Sequence, residues 1–299
     1  MDSSFIRGVI PALITPMNSD ESLSRDGMNR LIDGVIDAGV HGVFTCGTAG
    51  EFWAMTVDEK RQVYDWTVEF TAGRVPVYVG TSANSTSEAV DLTRAAESAG
   101  AECLSVLTPA FITPDAEEMF RHYAEIAEAT TLPILLYNLP NRTGNALALD
   151  VIDRLHRRFP NIVGIKDSSG NFEQAMALMR ELPSDFRMIM GRDTLIHAAL
   201  AEGAAGAIAA SANVVPEIAA GIYDAFLAGD HDRARELQQK LAPLRDAFAL
   251  GTHPAMLKAG ADLAGFSGGP PRRPVSQLDK DQLATLRQIL VSIGVSIPS

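Results

Sequence analysis

Short apolar, β-branched runs recur along this chain, and each is followed by a longer stretch whose apolar positions return every three or four residues. The first pattern is that of a strand buried on both faces, and the second that of an amphipathic helix. Eight such runs stand out, at residues 9–14, 40–46, 75–79, 103–107, 134–137, 162–166, 187–190 and 205–209. Helices are expected from near Ser24, Val57, Ser85, Asp115, Leu149, Asn171, Thr194 and Pro216, several with the Ser, Thr, Asp or Asn that an N-cap prefers. Eight βα units predict an α/β fold, a (β/α)8 TIM barrel, over residues 1–228. The rival, an open doubly wound sheet, usually shows a Gly-rich nucleotide turn after its first strand, and here that strand ends in Ile14-Thr15-Pro16. After Ala228 the strand signal stops, and segments 232–250, 254–263 and 279–291 predict a C-terminal helical domain over 229–299. Between the last two, the Gly- and Pro-rich stretch 267–274 reads as a surface loop.

Composition adds exclusions. The 299 residues are 46% apolar, enough for a sizeable core, and carry a formal charge of −12. An acidic chain is poorly matched to phosphate backbones, so no nucleic-acid partner is expected. No basic leader with an apolar core opens the sequence, and no apolar run approaches the ~20 residues of a membrane span. The expectation is a cytoplasmic protein without a membrane partner. Cys46 and Cys103 stand alone in strand-like runs and read as buried free thiols. The six histidines, His41, His122, His156, His197, His231 and His253, show no HxH or HExxH spacing and read as surface or capping residues, so no metal is expected. GxSxG and P-loop motifs are also lacking, which removes serine-hydrolase and P-loop nucleotide readings.

Candidate chemistry gathers at strand ends. Lys166 closes the apolar run Ile162-Val163-Gly164-Ile165-Lys166-Asp167. Either its ammonium escapes to solvent or pairs with Asp167, or it is buried, in which case desolvation lowers its pKa and frees an amine that attacks carbonyls. Tyr137 ends the preceding strand at the corresponding position. In a barrel, strand C-termini converge on one cavity, so the spacing sets a phenol beside an amine, as a Schiff-base enzyme needs. The second strand ends in Cys46-Gly47-Thr48-Ala49-Gly50-Glu51, a turn whose backbone N–H groups and Thr48 hydroxyl suit a carboxylate.

Gly47-Thr48-Ala49-Gly50-Glu51, Tyr137-Asn138-Leu139-Pro140-Asn141-Arg142-Thr143-Gly144 and Gly164-Ile165-Lys166-Asp167 resemble, in this order, the three signatures of the dihydrodipicolinate synthase and N-acetylneuraminate lyase family. The opening Gly8-Val9-Ile10-Pro11-Ala12-Leu13-Ile14-Thr15-Pro16 is similar to its first strand, and the likeness continues through Ala210-Ser211-Ala212-Asn213 over nearly the whole chain. The resemblance implies a barrel with a C-terminal helical domain, a homo-oligomer (tetramer or dimer), and a class I mechanism with no metal or other cofactor. It assigns Lys166 as the Schiff-base lysine, Tyr137 as the acid/base phenol, and Thr48 with the Thr48 and Ala49 amides as the carboxylate site. Gly191 and Ile208 fall where the family places backbone carbonyls near the lysine. Arg142 matches the residue that reads a carboxylate of the second substrate in the synthases.

Two departures qualify the resemblance. The synthases carry a second hydroxyl residue where this chain has Ala49, and a tyrosine reaching across the subunit interface where it has Phe111. Neither replacement relays a proton. Phe52 and Trp53 are candidates to shape the outer pocket. The leading expectation is a lyase acting on pyruvate or another small 2-oxo acid, such as a 2-keto-3-deoxy sugar acid or a 4-hydroxy-2-oxo acid. The alternatives are the synthase itself, a dehydratase or deaminase of the family, and a non-catalytic 2-oxo-acid-binding protein.

Overall fold

A computed structural model describes residues 2–297. Strands and helices alternate as β1 (Gly8–Pro11), α1 (Arg25–Asp37), β2 (Val43–Thr45), α2 (Val57–Thr71), β3 (Val77–Gly80), α3 (Thr86–Ala99), β4 (Cys103–Leu107) and α4 (Ala116–Glu128). The second half continues with β5 (Ile134–Asn138), a one-turn α5 (Pro140–Thr143), α6 (Leu149–Arg158), β6 (Ile162–Asp167), α7 (Phe172–Glu181), β7 (Arg187–Met190), α8 (Ile196–Ala201), β8 (Gly206–Ala209) and α9 (Pro216–Leu227). The chain then runs through α10 (His231–Asp246), α11 (Ala255–Leu263) and α12 (Lys280–Ser292).

All strand pairs are parallel, in the order β1-β8-β7-β6-β5-β4-β3-β2. The seam between β1 and β2 is closed by a bridge from Ala12 to Phe44 and by the Leu13 N–H donating to the Phe44 carbonyl at 2.8 Å. The expected TIM barrel is therefore the observed one. Nearly every strand residue is buried, which explains the continuous apolar runs: the barrel packs one face of each strand and the helices cover the other. Side chains cap the helices as expected. Ser24 and Ser85 accept from backbone N–H groups at the starts of α1 and α3, and Thr56 and Asp115 build reciprocal capping boxes with Glu59 and Glu118.

Several expected boundaries move. The run 40–46 yields only a three-residue strand, because Cys46 turns out of the strand at φ 52. The helix expected near Thr194 opens as a 3-10 turn, Asp193–Leu195, before α8. The stretch 267–274 is more than a surface loop. Gly268 and Pro271 are buried, the Gly268 backbone is pressed against that of Lys258, and Arg272 reaches the barrel through both backbone and side chain.

Candidate active site

The register across β5 and β6 pairs Tyr137 with Lys166 and Asn138 with Asp167. Alternation along the strands then separates two kinds of chemistry. Asp167 and Asn138 bond to each other, with Asn138 Nδ2 donating to Asp167 Oδ1 at 2.8 Å, and Ser169 Oγ donating to Asp167 Oδ2 at 2.9 Å. Asn138 Oδ1 in turn accepts from the Leu147 N–H. These contacts occupy both Asp167 oxygens, so the expected alternative of an Asp167–Lys166 pair gives way to the buried lysine.

Lys166 is 3% exposed. Its Nζ lies 3.9 Å from the Tyr137 ring centroid and 4.6 Å from that of Phe44. Burial pushes the amine below its ordinary pKa, while Tyr137 and, more distantly, Asp193 pull the other way. The two aromatic faces stabilise what ammonium remains without offering a counter-ion. Asp193, just past β7, is itself buried, and burial raises its pKa although its two oxygens accept from the Ala210 and Ser211 N–H groups. Tyr137 Oη is 3.3 Å from Thr48 Oγ1, linking the phenol to the turn after β2.

That turn is shaped by close approach. A Cβ at Gly47 would run into the Phe44 ring, and one at Gly50 would crowd the Leu13 carbonyl and Thr15 Oγ1. Thr15 Oγ1 donates to the Gly50 carbonyl at 2.7 Å, and Gly50 and Glu51 donate back to the Gly47 and Thr48 carbonyls. Among the described residues no protein acceptor takes the Thr48 or Ala49 N–H, which leaves two adjacent donors for an anion.

Thr48, Ala49, Tyr137, Arg142, Lys166, Gly191 and Ile208 all line one cavity of about 770 Å³, so the seven residues that the family resemblance points to come together. A cavity of this size matches sites for whole small ligands, ~300–1,000 Å³. Gly191 abuts Ser168, whose Oγ donates to the Gly191 carbonyl at 3.3 Å. Arg142 arrives on the last turn of α5, in a loop fastened by Thr108 Oγ1 donating to Thr143 Oγ1 and by Asn145 Nδ2 donating to the Pro109 and Ile112 carbonyls.

Phe52 and Trp53 do not line the cavity. Phe52 packs against Tyr137, Leu107 and Leu139, and Trp53 is 44% exposed, both on the 3-10 turn Phe52–Ala54 and outside the cavity lining. The outer wall is built instead from Arg192, Asp193, Arg245, Phe248 and His253. Arg192 and Asp193 follow a strand end, and the same strand-end logic that found Lys166 would have found them. Arg245, Phe248 and His253 carry no local signal, since only tertiary folding brings α10 and the segment after it to the barrel mouth. His253 is also no surface histidine: burial, with Arg142, Arg245 and Lys166 nearby, lowers its pKa to about 4. The two thiols are buried as expected, with Cys46 raised to about 12 by desolvation.

The model of the dihydrodipicolinate synthetase family matches residues 5–293. The chain belongs to this family. A 4-hydroxy-tetrahydrodipicolinate synthase of Methanopyrus kandleri is 39% identical over 291 residues, spanning 97% of this chain and 97% of that one. Its counterpart in Methanoculleus marisnigri is 40% identical, covering 96% and 99%. Among solved structures, the dihydrodipicolinate synthase of Aquifex aeolicus superposes with a TM-score of 0.94 at 30% identity, covering 98% and 100%. YagE, a prophage protein of this family from E. coli K12 solved with pyruvate, gives a TM-score of 0.94 at 28% identity, covering 97% and 99%. Membership in the dihydrodipicolinate synthetase family makes the protein an enzyme of the expected class, a lysine-dependent class I lyase.

Proposed function

We propose that the protein captures pyruvate or another 2-oxo acid as a Schiff base on Lys166 and makes or breaks the carbon–carbon bond next to it. The observation that carries this reading is the buried Lys166 amine beside Tyr137, whose hydroxyl is 3.3 Å from Thr48 Oγ1 in one cavity. The substrate carboxylate takes the free Thr48 and Ala49 N–H groups and the Thr48 hydroxyl, which presents C2 to Nζ. The amine adds to C2, Tyr137 protonates the oxygen and water leaves, giving an iminium. In the cleavage direction of a 4-hydroxy-2-oxo acid, Tyr137 takes the C4 hydroxyl proton as the C3–C4 bond breaks. The electron pair passes to C3 as the enamine and an aldehyde departs. Protonation at C3 and return of water to C2 release pyruvate and the free lysine. Condensation is the same sequence reversed.

Borohydride reduction in the presence of pyruvate tests the reading. A reduced pyruvate adduct mapped to Lys166 is the expected result, and an unmodified Lys166 would remove the proposal, leaving a 2-oxo-acid-binding protein as the surviving alternative. A second reading, 4-hydroxy-tetrahydrodipicolinate synthase, is supported by the names of the curated relatives and by Arg142 at the cavity wall. Ala49 and Phe111 weigh against it, since Tyr137 keeps only Thr48 of a hydroxyl chain. Steady-state rates with aspartate semialdehyde against a panel of aldehydes decide between the two.

The reading extends to assembly and compartment. Phe111 is 99% exposed at φ 72, and its neighbour Ile112 is also exposed. An apolar projection held in an unfavourable backbone region supports burial against a second copy of the chain in a homo-oligomer, a dimer or tetramer. Light scattering on the wild type and on Phe111→Asp tests this, the variant dissociating. A cytoplasmic location is supported by the buried free thiols and by the lack, among the described residues, of a helix long and apolar enough to cross a membrane.

A further inference from the structure

The cationic side of the cavity is larger than Arg142 alone. Arg192, from the end of β7, and Arg245, from the last turn of α10, line the same space. Among the described residues, none of these three guanidinium groups forms an ion pair within 4.0 Å or donates a side-chain hydrogen bond. By contrast, Arg154 and Arg272 each grip a carboxylate with two nitrogens. Such a concentration of unspent donors is at odds with a chain of formal charge −12.

Arg192 and Arg245 are nonetheless held. The Arg245 guanidinium stacks on the Phe248 ring, 4.2 Å from its centroid. The Arg192 guanidinium packs against Gly170, where a Cβ would come within 3.1–3.3 Å of it and where φ is +81. Neither contact is a hydrogen bond, so the N–H donors of both groups stay available to a carboxylate, which a guanidinium can bind with two of them. Two acids share the region. Asp193 spends its oxygens on the Ala210 and Ser211 N–H groups, and Asp246 lies at the exposed edge. Three arginines and Lys166 thus face two carboxylates, and His253, held neutral, adds no charge.

We propose that Arg192 and Arg245, with Arg142, form a distal anion subsite, and that the preferred substrate is a 2-oxo acid bearing a second carboxylate at its far end. The proposal rests on the reading of Lys166 as the imine-forming residue. The first carboxylate sits at Thr48 and Ala49, the carbonyl at Lys166, and the chain runs across the cavity to the arginines. Arg192 and Arg245 are then specificity-determining residues, stronger for dianionic than for monoanionic substrates.

The test compares 2-oxoadipate with 2-oxohexanoate, which differ by the terminal carboxylate, through the concentration of each that half-saturates borohydride trapping on Lys166. The wild type is expected to favour 2-oxoadipate by about tenfold or more, the range of a charge-assisted hydrogen bond. Arg192→Gln and Arg245→Gln each bring that ratio several-fold closer to one, and Arg245→Lys, which keeps charge but not the planar fork, restores part of it. A merely structural arginine would weaken both ligands equally, and an unchanged ratio in both Gln variants overturns the subsite. So does a wild-type ratio near one, or trapping of pyruvate without trapping of 2-oxoadipate. If pyruvate itself leaves no adduct, the underlying Lys166 reading fails and the subsite with it.

Discussion

Lys258 Nζ meets Glu51 Oε2 at 2.9 Å with both side chains wholly buried, although 207 residues separate them. The pair joins α11 to the turn that presents Thr48 and Ala49. Lys258 also donates to the Pro270 carbonyl at 2.7 Å, and the Arg272 N–H donates to Glu51 Oε1 at 3.1 Å. Glu51 holds a left-handed backbone at φ 60, a conformation that needs such anchoring in a residue with a side chain. The C-terminal helices therefore brace the carboxylate-binding turn from behind.

Removing one member of that pair leaves the other charged and buried. Lys258→Met is expected to lose about 3–5 kcal/mol of stability, read from urea denaturation. Adding Glu51→Gln to it should recover part of the loss, since the uncompensated charge goes. The pyruvate concentration needed for half-maximal trapping should rise in Lys258→Met as the turn loosens. A double variant as unstable as the sum of the singles would show that the two residues act independently.

Tyr137→Phe keeps the ring that Lys166 packs on and removes only the hydroxyl near Thr48. Turnover should fall by ~10²–10⁴-fold, the range for loss of a positioned acid/base group. Imine should still form, slowly, because water can protonate the departing oxygen. Unchanged turnover would take the proton-transfer role away from Tyr137.

The barrel was legible because each strand is buried on both faces and writes itself as an apolar run, and the inner site was legible because Lys166, Tyr137 and Thr48 stand at strand ends. Strand limits were less so: the run 40–46 is buried throughout except at His41, yet Cys46 leaves the ladder through a backbone turn that hydrophobicity does not record. The outer site was legible only in Arg142. Arg245 and His253 belong to segments whose local pattern says helix and turn, and their place at the mouth follows from the packing of α10 against α9 and the barrel. The role of 267–274 was hidden for the same reason, because the Glu51 and Glu59 carboxylates that Arg272 reaches are more than 200 residues away in sequence.

The depressed pKa of Lys166 sets a pH dependence with two parts. Imine formation needs the neutral amine, so the trapping rate with pyruvate should rise with pH and level off below 10.5, the ordinary lysine value. In stability the same shift makes the unfolded chain the one that holds the proton between the folded and unfolded pKa values. Stability should therefore increase as pH rises through that window. Lys166→Met removes the desolvation penalty and should raise the denaturation midpoint at neutral pH while abolishing trapping. A lower midpoint would mean that the amine is stabilised by its surroundings rather than strained.

His122 sets the opposite limit. It is 6% exposed, its Nδ1 is 2.9 Å from Thr86 Oγ1, and its Nε2 has no hydrogen-bond partner. Burial alone lowers its pKa to about 4 from 6.5, so the ring is neutral in the folded protein. As pH falls through 6.5 the unfolded chain takes up a proton that the folded chain refuses, and stability declines until pH reaches the folded value. The loss from this residue amounts to at most about 3 kcal/mol by pH 4. His253, lowered to a similar value, adds a decline of the same sign. His122→Leu fits the apolar surroundings and deletes one of the two titrations. Its stability between pH 6.5 and 4, measured by urea denaturation, should fall less steeply than that of the wild type, by up to one proton at the steepest point. Parallel curves for the two proteins would show that His122 takes up its proton in the folded protein as readily as in the unfolded chain, and that its pocket admits water to Nε2.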